Sequence, residues 1–198
     1  MRAEAALPLS MEATDSELME RLAAGDDLAM NILMQRWRER AAAFLYKMTS
    51  HSETAVDLAQ ETFVKLYQGR ARYRPEGKFS TYLFAIAVNL ARNHARWKSR
   101  HPTVSLDEAR EDGSCILEAP DPGLTPEDAA ANAERMRAVQ RAFQTLPTDL
   151  REAMTLFIYE DMGYSEIAAI AGCSAKAAET RIYRARQILK EQLKDIRA

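Results

Sequence analysis

The sequence predicts an all-α protein with two small helical domains joined by a flexible acidic linker, the C-terminal domain containing a helix-turn-helix. Ala, Leu, Glu, Arg and Met dominate the composition, and these residues favour helices. Apolar residues recur at helical spacing, and no long stretch alternates apolar and polar residues as a half-buried strand would. Prolines and acids concentrate in residues 102–124, which marks a domain boundary. A chain of 198 residues, 47% of them hydrophobic, can form one or two domains with true cores.

The first part of the chain is expected to hold a flexible arm and the N-terminal helical domain. Residues 1–13 are the predicted arm, and residues 14–101 are the predicted domain. Thr14 and Glu17 have the spacing of a capping box, in which each side chain bonds the other residue's backbone N–H. A short first helix therefore begins at this point and stops at Gly25.

Two longer helices follow. Asp26 and Asp27 are suitable caps for the second helix, which ends at the polar stretch 49–52. The third helix covers residues 53–68, with apolar and polar residues on opposite sides. The apolar side carries Val56, Ala59, Phe63, Val64 and Tyr67. The polar side carries Asp57, Gln60, Glu61 and Lys65.

A basic loop and a helix with a basic end complete the N-terminal domain. Between Lys65 and His101 the chain has nine Lys and Arg residues and one acid. The fourth helix begins near Ser80 or Thr81 and ends near Arg100. Its expected buried stripe is Leu83, Ile86, Ala87, Leu90, His94 and Trp97. It is either a core helix with a solvated basic end, or a helix that packs at one end and grips a polyanion at the other.

The sequence contains neither a membrane-spanning pattern nor a secretion signal. The longest apolar run, residues 82–91, is about half of the ~20 residues that a transmembrane helix needs, and Asn89 interrupts it. The first fifteen residues carry charges and a proline, unlike the apolar region of a signal peptide. We therefore expect no membrane insertion and a cytoplasmic protein.

The linker is predicted at residues 102–124, where the charge reverses. From Pro102 to Glu134 the chain has nine acids and one base. Thr125 followed by Pro126 is typical of a helix start, with a capping side chain and a proline in the first turn. The C-terminal domain is accordingly expected to span residues 125–198.

The end of the chain has the pattern of a helix-turn-helix. After a helix that Thr148 can cap, short helical patterns cover residues 165–171 and 174–194. Gly172 suits the turn between them, because positive φ costs glycine little, and Ser174 can cap the last helix. In a helix-turn-helix the second helix enters the major groove of DNA. The alternative is an ordinary amphipathic hairpin with an Arg-rich edge.

No catalytic set, metal site or cofactor motif is evident. Ser, His and Asp show no nucleophile–base arrangement, and no glycine-rich phosphate loop is present. Asp57 and Glu61 could form a metal pair only with further ligands, which do not accompany them. Cys115 and Cys173 lie far apart and support neither a zinc site nor a disulfide framework. We expect no enzymatic activity, no metal and no cofactor.

Three motifs together resemble an RNA polymerase sigma factor of the extracytoplasmic-function type, group IV of the sigma-70 family. They are DLAQETFVKLY (57–67), FSTYLFAIAVNLARNHARWKSR (79–100) and LPTDLREAMTLFIYEDMGYSEIAAIAGCSAKAAETRIYRAR (146–186). Their order and the linker between the second and third also match the family. Two positions depart from it: Tyr82 replaces a frequent Trp, and residues 176–179, KAAE, replace the commoner Gly-Thr-Val-Arg/Lys. The resemblance therefore does not imply a particular −35 sequence.

The resemblance implies core RNA polymerase as partner, bound through the clamp helices of its largest subunit and its flap. The matching polymerase-binding positions are Asp57, Gln60, Glu61 and Phe63. The positions that would bind and open the −10 element are Tyr73, Arg74, Lys78, Phe79, Asn89, Arg92, Arg96, Lys98 and Arg100. The positions that would read the −35 element are Ser174, Lys176, Glu179, Thr180, Arg181 and Arg184. An anti-sigma factor is a further implied partner, and promoter DNA is the implied ligand.

The expected function is promoter recognition, DNA melting and transcription initiation with core polymerase, in a stress or envelope response. Two alternatives remain open from the residues alone. A stand-alone helix-turn-helix regulator would bind promoter DNA as well without polymerase as with it. A helical adaptor that binds only proteins would leave the basic loop and the Arg-rich last helix unexplained.

Overall fold

The structure, a computed structural model, describes residues 13–74, 76–101 and 125–194. The described residues form eight α-helices and one 3₁₀ turn, without a strand among them, so the all-α prediction is confirmed. The helices are α1 (Asp15–Ala23), α2 (Leu28–Thr49), α3 (Ser52–Gly69), α4 (Phe79–Arg100), α5 (Pro126–Thr145), α6 (Thr148–Tyr159), α7 (Tyr164–Ala171) and α8 (Ala175–Gln192). The 3₁₀ turn is Arg70–Arg72. Residues 1–12 of the predicted arm and the predicted linker, 102–124, lie outside the described residues.

Capping and one partly buried carboxylate hold α1 against α2. Thr14 and Glu17 form the predicted capping box, with the Thr14 N–H donating to Glu17 Oε2 at 2.7 Å. Asp15 accepts hydrogen bonds from Arg36 Nη1 at 2.8 Å and from Trp37 Nε1 at 3.0 Å. The sequence also predicted two caps for α2, and the structure supports one of them.

Asp26 accepts a hydrogen bond from the Leu28 N–H at 3.2 Å, which confirms it as a cap of α2. The predicted side-chain cap by Asp27 is wrong, although this residue occupies the cap position. Its carboxylate accepts instead from the Tyr67 hydroxyl at 3.0 Å. Asp27 therefore joins the start of α2 to the end of α3.

An aromatic cluster forms the centre of the N-terminal core. Phe84 lies edge-on to Phe44 at 5.0 Å and to Trp37 at 6.2 Å between ring centroids. Phe79 lies edge-on to the same Trp37 at 5.5 Å. Because edge-to-face aromatic pairs and full burial both stabilise a core, these rings fix α4 against α2.

The structure corrects the predicted buried faces of α3 and α4. Val56 and Val64 on α3 are exposed, because α2 and α4 cover only the neighbouring face of that helix. On α4, Leu83 and Ala87 are buried as predicted, but Trp97 is 52% exposed. The second buried row on α4 is Phe84, Val88 and Ala91. The stripe therefore ends at Ala91, and the last two turns of α4 extend beyond the core.

The C-terminal helices form the predicted helix-turn-helix. Gly172 ends α7 with φ of 66°, and the Ser174 hydroxyl accepts from the Ala177 N–H at 3.1 Å. One cap was predicted wrongly: Thr148 is the first residue of α6 rather than its cap. Pro147 occupies the cap position, since its backbone carbonyl accepts from the N–H groups of the first turn. The buried residues of α8 are Ala178, Ile182, Ala185 and Leu189.

The N-terminal helices α1–α4 and the C-terminal helices α5–α8 form two groups that are in direct contact with each other. Gln140 donates to the Tyr46 hydroxyl at 2.8 Å, and Gln144 donates to the Lys47 carbonyl at 3.0 Å. Arg151 donates to the Met48 carbonyl at 3.2 Å. The end of α2 is thus bound by α5 and α6, and α7 lies on α4. The division at residues 101 and 125 remains a prediction.

We expect Phe84→Ala to destabilise the protein by about 3–5 kcal/mol, because it removes a fully buried ring that contacts two others. Val64→Ala, at an exposed position of α3, is the control and should change stability by no more than about 0.5 kcal/mol. Urea denaturation followed by circular dichroism measures both. Equal losses for the two variants would contradict the assignment of the core.

Candidate polymerase and nucleic-acid interfaces

The polar face of α3 is accessible along its length. Asp57, Gln60 and Glu61 are exposed and lie on neighbouring turns. Phe63 is only 3% exposed and belongs to the core. The carboxylates and the amide can therefore meet a partner, whereas Phe63 can only support the helix that carries them.

The two aromatic residues predicted to bind and open the −10 element, Tyr73 and Phe79, are buried in this structure. The Tyr73 hydroxyl shares a hydrogen bond with Ser16 at 3.2 Å, and its ring lies edge-on to Tyr82 at 5.2 Å. Phe79 packs on Trp37. Neither ring is open to a base in this conformation, because both complete the core beside the loop.

The polar positions of the loop and of α4 are exposed. Arg74 and Lys78 lie in the loop before α4, and 70% of the Lys78 side chain is exposed. Asn89, which interrupts the apolar run 82–91, is exposed. The reason is that the buried rows of α4 run through Ala87 and Val88, which leaves position 89 on the opposite side.

Arg92 forms the most buried ion pair of the described residues. Its Nε and Nη2 atoms donate to the two oxygens of Glu152 on α6 at 2.8 and 2.7 Å. The Glu152 side chain is 1% exposed. Burial raises the pKa of this carboxyl above its ordinary value, while Arg92 pulls the pKa down. Arg92, predicted to hold DNA phosphate, is thus occupied by a carboxylate of the C-terminal helices.

The remaining cations of α4 lie at the end of the helix, close to His51 and His94. Arg96, Lys98 and Arg100 are exposed. Lys98 Nζ lies 3.2 Å from His51 Nε2. Burial lowers the pKa of His94, and the positive charges of Lys98 and His51 lower it further. This end of the helix therefore has a strongly positive potential.

The predicted reading face lies on the first three turns of α8. Lys176, Thr180 and Arg184 are exposed at four-residue spacing, so they share one face. Lys176 pairs with Glu179 at 2.7 Å, an exposed contact that raises the pKa of the lysine. The Ser174 hydroxyl caps the helix, which limits its freedom to contact a base.

Arg181 differs from the other predicted reading residues. Its Nε lies 3.5 Å from Asp149 on α6, its Nη1 atom is buried without a hydrogen bond, and its charge lowers the pKa of Glu152. The guanidinium faces α6 rather than solvent, so it cannot reach a base edge in this conformation.

The described residues contain no group of His, Cys, Asp and Glu that could hold a metal ion. None of the described helices is long and apolar enough to cross a bilayer.

Two family models match the chain in the positions of its two helical groups. The model for Sigma-70 region 2 matches residues 33–101, and the model for Sigma-70 region 4 matches residues 136–189. The extracytoplasmic-function (ECF) RNA polymerase sigma-E factor of Haemophilus influenzae is 32% identical over 192 residues, which cover 95% of this chain and 100% of that protein. The chain belongs to the ECF sigma factors of the sigma-70 family.

Other members of the family are similarly close. The ECF sigma-E factor of Escherichia coli is 32% identical over 95% of this chain and 98% of that protein. The sigma-H factor of Pseudomonas aeruginosa is 32% identical over 92% of this chain and 95% of its own length. This ECF sigma factor thus matches its relatives across both helical groups.

Two solved structures share the fold. CnrH, solved in complex with the cytosolic domain of CnrY, superposes with a TM-score of 0.64 at 24% identity and covers 92% of this chain and 99% of its own. Bartonella quintana RpoE, solved with the anti-sigma factor NepR, has a TM-score of 0.62 at 24% identity over 81% of this chain and 94% of its own.

The carboxylates that face the N-terminal helices are not among the site residues predicted from the sequence. Glu152, Glu160 and Glu166 pair with Arg92, Arg40 and Lys78. One of them left a signal, since Glu152 lies between Leu150 and Ala153 on the apolar face of α6. A carboxylate at such a position predicts a buried ion pair, although the sequence does not identify the partner.

We expect His94 to make the protein less stable at mildly acidic pH. Its pKa lies below the ordinary ~6.5, so the unfolded state binds more protons as pH falls through that value, and stability is lost on acidification. His94→Gln should therefore lose less stability than the wild type between about pH 7 and pH 5. Urea denaturation across that range measures the difference.

Comparing the wild type with His94→Gln isolates the contribution of His94 to stability. Glu152 and Glu160 have raised pKa values, so their contributions to stability change with pH in the opposite sense, but they are the same in both proteins. Parallel pH profiles for wild type and variant would contradict the assignment.

Proposed function

We propose that this ECF sigma factor binds core RNA polymerase and directs it to promoters, where it recognises the −35 and −10 elements, opens the DNA and starts transcription. The observation that carries the proposal is the order of a region 2 match and a region 4 match, each with accessible charged residues at its motif positions. We propose a stress or envelope response as its setting, the cytoplasm as its location, and no catalysis of its own.

The exposed side of α3 is the proposed contact with the polymerase clamp helices. Asp57, Gln60 and Glu61 offer two carboxylates and an amide, which suit arginine-rich partner surfaces through charge-assisted hydrogen bonds. Phe63 supports this surface from the core. The C-terminal helices are proposed to meet the polymerase flap.

The basic loop and the exposed face of α4 are proposed to hold the −10 element. Arg74, Lys78 and Arg96 carry the charge that holds phosphates, together with Lys98 and Arg100. Asn89 can reach a base edge, since it is exposed. Tyr73 and Phe79 are proposed to act only after the loop rearranges, because both rings are buried here.

The exposed face of α8 is proposed to read the −35 element. Lys176, Thr180 and Arg184 share that face, and arginine is the commonest bidentate ligand of guanine. Ser174 and Glu179 lie beside them at the start of the helix. Arg92 and Arg181 would contribute to DNA binding only when their carboxylate partners release them.

An anti-sigma factor is the proposed regulatory partner. This proposal rests on family membership and on the fold shared with Bartonella quintana RpoE, which was solved with the anti-sigma factor NepR. The competing function, a stand-alone regulator, predicts equal promoter affinity with and without core polymerase.

We expect the double variant Asp57→Ala/Glu61→Ala to bind core polymerase at least about tenfold more weakly, because it removes two charges from the proposed contact. The matched control is Glu20→Ala/Glu39→Ala, which removes two exposed carboxylates elsewhere in the same domain. Fluorescence anisotropy with labelled protein measures the affinity. Unchanged binding by the first variant, with circular dichroism equal to wild type, would contradict the proposed contact.

We expect the triple variant Arg74→Ala/Lys78→Ala/Arg96→Ala to lose promoter opening in the holoenzyme, because these cations are proposed to hold the phosphates of the −10 element. The slope of log K against log salt should fall by about 1 for each phosphate that the variant no longer neutralises. Permanganate reactivity of −10 thymines and salt titration of DNA binding are the two measurements.

The matched control for that variant is Arg38→Ala/Arg135→Ala/Arg137→Ala, which removes three exposed arginines outside the proposed surface. Normal strand opening by the first triple variant would overturn the proposed −10 surface. Equal promoter affinity of the wild type with and without core polymerase would favour the stand-alone regulator.

A further inference from the structure

Three ion pairs join the N-terminal helices to the C-terminal helices. Arg92 pairs with Glu152 at 2.7 Å, Arg40 with Glu160 at 2.9 Å and Lys78 with Glu166 at 3.2 Å. Every cation comes from α2, α4 or the loop before α4, and every carboxylate comes from the segment that begins with α6 and ends within α7. We call Glu152, Glu160 and Glu166 the carboxylate face of the C-terminal helices.

Two of the three side chains of the carboxylate face are buried against the N-terminal helices and have little contact with solvent. The side chains of Glu152 and Glu160 are 1% and 4% exposed, and burial raises the pKa of both. Two buried acids are costly unless each has a cation, so the contact with Arg92 and Arg40 is what satisfies them.

Two of these cations, Arg92 and Lys78, are residues that are proposed to bind the −10 element of the promoter. Arg92 donates two parallel N–H···O hydrogen bonds to Glu152, and arginine binds a phosphate group in the same bidentate arrangement. Lys78 faces Glu166 where the −10 backbone is proposed to run. The carboxylates therefore take the place of phosphate oxygens.

The C-terminal helices also cover the −10 loop physically. An open pocket of about 250 Å³ beside the loop is lined by Ala169 and Ile170 of α7 together with Tyr73, Lys78 and Tyr82. α7 is the first helix of the helix-turn-helix. A strand of DNA cannot reach this part of the loop while α7 lies on it.

The closed arrangement also places the two reading surfaces too near each other. By their names, the −35 and −10 elements lie about 25 base pairs apart, which is about 85 Å of B-form DNA at about 3.4 Å per base pair. Here Lys78 of the −10 surface lies 3.2 Å from Glu166 of α7, and α7 packs directly against α8, the helix that carries the proposed −35 surface. One promoter cannot contact both surfaces in this state.

We propose that the carboxylate face is an internal mimic of promoter phosphate that holds the free sigma factor in an autoinhibited, closed state. The inference rests on the proposed function. Core polymerase, by binding the helical groups at separate places, shifts the population to the open state, in which Arg92 and Lys78 are available to DNA.

The test is the double variant Glu152→Gln/Glu166→Gln of the full chain, which keeps every proposed DNA-binding cation. Glutamine preserves the capping contact of Glu166 with the Gly163 N–H, because its amide oxygen also accepts. The variant should have a larger radius of gyration in small-angle X-ray scattering. It should also bind −10 promoter DNA without polymerase at least about tenfold more tightly, since apparent affinity scales with the open fraction.

The matched control is Glu134→Gln, which neutralises an exposed acid of α5 outside the carboxylate face. It should match the wild type in size and in DNA affinity. A second route to opening is Arg40→Gln, at a half-exposed residue that is not a proposed DNA contact. It should change size and affinity in the same direction and decides the question if the double variant fails to fold by circular dichroism.

Unchanged size and affinity in folded Glu152→Gln/Glu166→Gln, or in Arg40→Gln when only that variant folds, would overturn the proposal. An increase in size without tighter DNA binding would also overturn it, because the carboxylates would then not compete with phosphate. Transcription with core polymerase and wild-type protein separates this proposal from the proposed function. Absence of promoter-specific transcripts refutes the sigma factor activity, whereas the size measurements judge the closed state in either case.

Discussion

The ion pair between Arg92 and Glu152 is the interaction on which the arrangement of this sigma factor depends. It joins α4, the helix with the basic end, to α6, the helix that precedes the helix-turn-helix. A buried pair of this kind contributes little net stability compared with apolar packing, but its geometry is demanding. It therefore selects one relative position of the two groups more than it strengthens either of them.

The apolar cores and the charged surfaces have separate tasks. Phe84, Phe44 and Trp37 fix the N-terminal helices, and the buried row of α8 fixes the helix-turn-helix. The charged residues lie on the exposed surfaces of the helices, namely the polar side of α3, the basic end of α4 and one face of α8. A net charge of −2 conceals this separation of a basic surface from acidic ones.

Helix positions and the family could be predicted from the sequence, because capping residues, apolar spacing and ordered motifs are local signals. Burial could be predicted only in part. Val64 and Trp97 are exposed, and Tyr73 and Phe79 are buried, because neighbouring helices decide which side of an apolar segment is covered. The pairing of Arg92 with a residue sixty positions away has no local signal at all. The site residues were predicted from the resemblance to the sigma factor motifs and remain predictions, whereas their partners within the chain required the fold.

The division of α8 into two rows has a consequence for how promoter preference can diverge among relatives. Ala178, Ile182, Ala185 and Leu189 face inward, while Lys176, Thr180 and Arg184 face outward. Under the proposed −35 role of the outer row, a substitution there would change which base edges are matched without disturbing the inner row. Retargeting to a new regulon is thus open to single steps that carry little penalty in folding, and the unusual KAAE start of this helix is compatible with such drift.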